Sequence, residues 1–221
     1  REVSMRTYTN VVLGHNKGLS QSTVLQLYQE PASEELWIAT DGGGINKFIP
    51  STETFVHYPD TWGDKMVSIT GFTPNELLVS AFSKGIFIFD KKTGKKRPFA
   101  IMSPSLEHHI RYSWQPINLY RETPNSILIL SSPPYRYHTS TRQLTPVPCA
   151  KEVKIKGLLS SIGYDSTAIY LNDPYNIYRL DRKKDTVEIF ASAPQGFFNA
   201  VSRDDKGVFW IAGTRGLYTY H

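Results

Sequence analysis

The stretch LWIATDGGGINKF, Leu36 to Phe48, sets an apolar run holding a tryptophan ahead of three glycines and a second apolar run that stops at an aromatic residue. Near the other end of the chain FWIAGTRGLYTY, Phe209 to Tyr220, repeats the layout with one residue fewer in the turn. Looser copies lie between: Asn75 to Ser80 then Gly85 to Phe89, Asn125 to Leu130 then Tyr135 to His138, and Thr167 to Leu171 then Asn176 to Leu180. Trp37 and Trp210 are 173 positions apart, so four steps average about 43 residues.

Runs of four to six β-branched and aromatic residues, punctuated by Gly, Pro, Asn, Asp and Ser, predict strands nearly everywhere. In the first unit they fall at Val24 to Gln29, Leu36 to Thr40, Ile45 to Phe48 and Thr54 to Tyr58. The third and fourth are joined by Pro50-Ser51-Thr52-Glu53, and the counterparts of this link in later units have the same hairpin chemistry. A period of about 43 residues holding four strands matches a propeller blade. Continuous apolar strands such as Ile86 to Phe89 fit that architecture, because a blade is covered on both faces by its neighbours.

The expected fold is therefore all-β, a β-propeller of about five four-stranded antiparallel blades, over residues 18–58, 66–99, 116–147, 157–190 and 197–221. The last unit stops after its third strand, and Met5 to Thr9 reads as a fourth strand without an owner. Residues 3–9 would then complete the last blade and close the ring; part of a larger ring is the alternative. Glycines at 42 to 44, 85 and 216 are expected to take positive φ between second and third strands. The only candidate helix is a short turn near Ser103 and Pro104.

The 221 residues, 40% of them apolar, suffice for a full core. Apolar runs such as Ile127 to Leu130 are far shorter than the roughly 20 residues of a membrane helix, so this piece reads as soluble. It opens at Arg1 without a leader pattern, as expected if a secretion signal has been removed. One cysteine, Cys149, excludes an internal disulfide framework and cannot alone build a zinc site. Net charge is +5, much of it in Lys91, Lys92, Lys95, Lys96 and Arg97 and in Arg182, Lys183 and Lys184. Both clusters follow a strand and read as solvated hairpin turns, with no nucleic-acid partner expected through this segment.

Gly18-Leu19-Ser20, Val24, Leu36 to Thr40 and Gly44-Ile45 resemble the two-component regulator propeller repeat, G-L-S-x-x-x-V then L-W-I-G-T-x-x-G-L. Asp204, Gly207, Phe209 to Thr214 and Gly216-Leu217 resemble its later half, with the D-x-x-G turn. The resemblance implies the periplasmic sensor region of a Bacteroidetes hybrid two-component system. There, two propellers, typically seven-bladed, and an immunoglobulin-like domain precede a membrane helix, a histidine kinase and a response regulator. It implies an oligosaccharide ligand released from glycans, the remaining sensor domains of a parent chain as partners, and a homodimer in the full-length protein. The chain departs from the pattern in having five recognisable blades, Pro31 to Glu34 in place of the first D-x-x-G, and no kinase sequence.

Loops on a rigid scaffold carry function, and the turns between second and third strands share one face with the links between blades. That division nominates Trp62, Tyr135, Arg136, Asp173, Tyr175 and Arg215, with His108, His109, Arg111, Tyr112 and Trp114 from the long link Ala100 to Gln115. Aromatic faces beside planar hydrogen-bonding groups suit a sugar ring. The plain alternative is that the rings pack over blade edges and the histidines face water. Adjacent His108 and His109 point to opposite faces of a strand and lack a ligand set, so no metal or other cofactor is expected. Trp37 and Trp210 recur at one repeat position and read as structural. The segment is expected to be noncatalytic. The rival readings are a propeller enzyme, a polysaccharide lyase or glycoside hydrolase, and an interaction scaffold.

Overall fold

The computed structural model describes residues 18–31, 33–100, 116–193 and 195–220. The fold is a β-propeller built of successive antiparallel sheets whose strands follow chain order. The sheets are β1 to β4 (Val24–Gln29, Leu36–Thr40, Ile45–Ile49, Thr54–His57), β5 to β8 (Met66–Thr73, Glu76–Ala81, Gly85–Asp90, Lys96–Pro98) and β9 to β12 (Asn118–Thr123, Ser126–Leu130, Tyr135–His138, Gln143–Pro146). The others are β13 to β16 (Ser160–Tyr164, Ala168–Asn172, Asn176–Asp181, Thr186–Ser192) and β17 to β19 (Phe198–Arg203, Phe209–Gly213, Gly216–Tyr220). The last has three strands among the described residues. The proposed closing strand at 3–9, the helical turn near Ser103 and the link residues 101–115 lie outside the described residues. One element not expected from sequence is a 3-10 turn at Pro59–Thr61, where Pro supplies the fixed φ and Thr61 Oγ1 donates to the Tyr58 carbonyl at 2.7 Å.

The chain divides into two compact units, residues 1–121 and 122–221. In the first, the β1–β4 and β5–β8 sheets pack face to face. Trp37, Ala39 and Ile45 meet Met66, Ile69, Leu77, Val79 and Phe89. Tyr58 stacks on Trp37 with ring centroids 5.6 Å apart, and Phe89 stands edge-on to both rings. The opposite face of the first sheet is also covered, by Leu19 and Phe55 against Ile38. Cover on both faces explains why β2 is buried along almost its whole length instead of alternating.

In the second unit the β13–β16 and β17–β19 sheets pack likewise, Ala168, Tyr170 and Ile177 against Phe198, Phe209 and Ile211. Arg203 is sandwiched there, its guanidinium 5.1 Å from the Tyr170 centroid and 5.6 Å from that of Phe209. The two repeat tryptophans part company: Trp37 is 1% exposed, whereas Trp210 is 46% exposed and its Nε1 donates to Asp204 Oδ2 at 3.0 Å. Arg182, Lys183 and Lys184 form a turn as expected, and so do Lys91, Lys92 and Lys95, but Lys96 and Arg97 of the first cluster already lie in β8. Lys91, Lys96 and Arg97 pair with Glu30, Asp64 and Glu76, and Lys184 pairs with Glu188.

The three glycines of the first unit serve three purposes. Gly42 takes φ +89 in open space, Gly43 has no positive φ but approaches Gln21 and Ser20 closely, and Gly44 combines φ +69 with a packed setting. A Cβ on Gly44 would overlap Thr61 Oγ1 and lie 2.5 Å from the Thr61 carbonyl oxygen. We expect Gly44→Ala to lower stability by about 2 kcal/mol, against about 1 for Gly42→Ala, where only backbone strain applies. Equal shifts of the denaturation midpoint would contradict the steric account.

Asp165, in the turn between β13 and β14, predicts an acid response. Burial alone would raise its pKa, but the hydroxyl and amide of Thr167, the hydroxyl of Tyr170 and the amide of Ala168 all donate to it and hold it at about 2. A folded pKa below the unfolded value stabilises the native state above pH 4 and loses that contribution as pH falls from about 4 to about 2. Asp165→Asn should flatten stability across that window; an unchanged slope would assign it to other carboxylates.

Candidate ligand-binding surface

Antiparallel meander order puts each second-to-third-strand turn at the end of the sheet where the link to the next sheet begins. In the first unit the hydrogen bonds bear this out. Gly42 N donates to Asp64 O at 3.1 Å, Gly63 N to Gly42 O at 2.9 Å, and Phe82 N to Lys65 O at 2.9 Å. Trp62 stands on this pinned link, half exposed. The lysines around it are neutralised within the unit: Lys65 reaches Asp41 at 3.0 Å, and both Lys84 and Lys96 reach the buried Asp64.

In the second unit the same end is organised by Asp173. Its side chain is wholly buried and accepts from Tyr175 N and Asn176 N at 2.8 Å through Oδ1, and from Lys156 N at 2.9 Å and Tyr178 OH at 2.6 Å through Oδ2. The Tyr178 phenol, buried and donating to this carboxylate, is pushed well above its ordinary pKa. One carboxylate thus ties the β14–β15 turn to the incoming link. Main-chain bonds extend the row: Ala193 N to Tyr175 O, Phe198 N to Pro174 O and Thr214 N to Phe197 O. Gly196 holds the last of these links tight, since at φ +77 a Cβ there would overlap Thr214 Oγ1.

Tyr175 and Phe197 project from this frame 42% and 46% exposed, with Arg215 exposed in the next turn. Lys156 Nζ lies 5.7 Å from the Tyr175 ring centroid. Two exposed aromatic side chains, with a lysine over one ring and an arginine in the next turn, form a surface able to stack a flat ring and bond its substituents.

The nominated residues are distributed as follows. Asp173, Tyr175 and Arg215 come together at this end of the second unit, Asp173 as the buried organiser of the turn. Trp62 occupies the corresponding end of a blade in the first unit. Tyr135 and Arg136 lie in β11 and not in the preceding turn, which is 131–134. The Arg136 guanidinium points to the opposite end of its strand. Glu122 grips it at 2.7 and 3.1 Å, and Asp185, in the β15–β16 turn, at 2.7 Å. That bidentate geometry leaves it no free face for a ligand at the Tyr175 end. His108, His109, Arg111, Tyr112 and Trp114 lie outside the described residues. Lys156 and Phe197 were missed, although they sit in links of the kind that nominated Trp62, and the same rule applied to residues 147–159 and 193–197 would have found them. Among the described residues, no group of three His, Cys, Asp or Glu could hold a metal ion, and no helix is long and apolar enough to cross a membrane.

No family model and no curated protein matches the sequence. Solved structures do match. The extracellular domain of BT4673 from B. thetaiotaomicron, described once as a one component system and once as a hybrid two component system, superimposes with a TM-score of 0.70 at 19% and 18% identity, covering 94% and 95% of this chain. The extracellular domain of BT3049, described as a hybrid two component system of the same organism, gives 0.68 at 16% identity over 92% of the chain. The likeness is one of fold. This chain spans only 27% to 30% of those domains' length. PorZ, a surface component of the type-IX secretion system of Porphyromonas gingivalis, shares the fold with a TM-score of 0.59 at 13% identity, covering 91% of this chain and 25% of its own.

Proposed function

We propose that this chain is a noncatalytic periplasmic sensor segment of a hybrid two-component system. In this reading it contributes to recognising a glycan-derived oligosaccharide and to control of a histidine kinase across the membrane. The observation that carries it is the row of exposed Tyr175, Phe197 and Arg215 on a pinned frame, in a fold whose neighbours include extracellular domains of such systems. The remaining sensor domains of a parent chain and a second copy of it are the partners this reading requires, because a ligand can switch a kinase only by binding its two arrangements unequally.

The enzyme alternative needs free carboxylates converging on the surface. The carboxylate on this frame is Asp173, and both of its oxygens are engaged. Isothermal calorimetry of the chain against a panel of oligosaccharides, with the parent sensor region as positive control, tests the reading. Heat of binding to both supports direct recognition; heat from the parent alone moves recognition elsewhere, and turnover of a polysaccharide would favour the enzyme.

A further inference from the structure

The two units treat their lysines differently at the link end. In the first, Lys65, Lys84 and Lys96 all find an aspartate. In the second, Lys154 and Lys156 on the 147–159 link and Arg215 in the β18–β19 turn are exposed, and none forms an ion pair among the described residues. The carboxylate beside them is the buried Asp173, whose two oxygens are taken up by hydrogen-bond donors. A solvated basic face would carry its lysines anywhere, yet here Lys156 is held by its own amide to Asp173 and its ammonium lies over an exposed ring, 5.7 Å from the centroid. The close passage of the link over the turn fixes that placement, since a Cβ on Gly157 would lie 2.9 Å from Pro174 Cδ.

From this juxtaposition we infer that the ligand is an anionic saccharide, with a carboxylate or sulfate on a sugar ring stacked against Tyr175 or Phe197. The inference rests on the saccharide reading above and narrows it. A pyranose on the Tyr175 face would put a ring-borne anion within reach of Lys156, with Lys154 on the same link and Arg215 in the neighbouring turn, where guanidinium geometry suits either oxyanion. A neutral sugar would stack equally well but leave those cations solvated. Because the charges are exposed, their attraction is screened by salt.

Calorimetry with three matched probes decides the matter: a galacturonate oligomer, a sulfated galactose oligomer and the neutral galactose oligomer of the same length. The expected result is that at least one anionic probe binds about tenfold or more tighter than the neutral one, weakening several-fold between 50 and 200 mM salt. Lys156→Gln together with Lys154→Gln should remove most of that preference while leaving the melting temperature unchanged. Which anionic probe binds separates carboxylate from sulfate. Equal binding of all three probes overturns the inference and leaves the saccharide reading intact, whereas binding of none removes both. Anionic binding that survives the double variant, or is matched by polyphosphate at equal charge, also overturns it.

Discussion

Trp37→Ala is expected to cost the first unit about 3–5 kcal/mol, the range for removing a large buried aromatic side chain. Trp37 is 1% exposed, stacks on Tyr58 and meets the edge of Phe89, so alanine would leave a cavity between two sheets that are held in place by their own ladders and cannot collapse onto it. Trp210→Ala, at the same repeat position, should cost about 1 kcal/mol or less, because half of that ring already faces water and one exposed hydrogen bond is lost. Urea titration followed by far-ultraviolet circular dichroism measures both. Comparable losses for the two tryptophans would overturn the packing account.

The second large effect is expected at Asp173. Alanine there strands four donors, the amides of Lys156, Tyr175 and Asn176 and the hydroxyl of Tyr178, in a site the carboxylate fills completely. A buried donor left without an acceptor costs roughly 1–3 kcal/mol, and partial access of water to some of the four brings the expected total to about 3. Asp173→Asn keeps one acceptor oxygen and should lose less. Hydrogen exchange localises the damage: faster exchange should appear at Lys156, Tyr175 and Asn176 before the rest of the unit. Uniform acceleration across the unit would mean that Asp173 stabilises it globally and does not specifically tie the link to the turn.

The sequence is most legible where one repeat constrains both strands and turns. Val24–Gln29 and Leu36–Thr40 fall where the apolar pattern puts them, because short runs of apolar and aromatic residues bounded by Ser22, Pro31, Ser33 and Asp41-Gly42 leave little choice of period. The equivalence of the two tryptophans was legible as position but not as burial, since burial depends on what covers the face, and the β17–β19 sheet carries no following sheet among the described residues. Arg136 shows another limit. Its partner Asp185 is 49 residues away and in another sheet, and nothing local distinguishes a clamped guanidinium from a free one. Asp173 reads from sequence as a turn residue able to meet a ligand, and what buries it is four donors, two of them supplied from outside the turn.

The link that carries Phe197 is stitched to the turns beneath it by main-chain amides and carbonyls, and the link that carries Lys156 by its own amide to the buried Asp173 carboxylate. Stability there owes little to the side chains that face outward. Tyr175, Phe197 and Arg215 can thus be exchanged with small thermodynamic penalty, so duplicated genes could drift toward new chemical cues while the frame beneath persists.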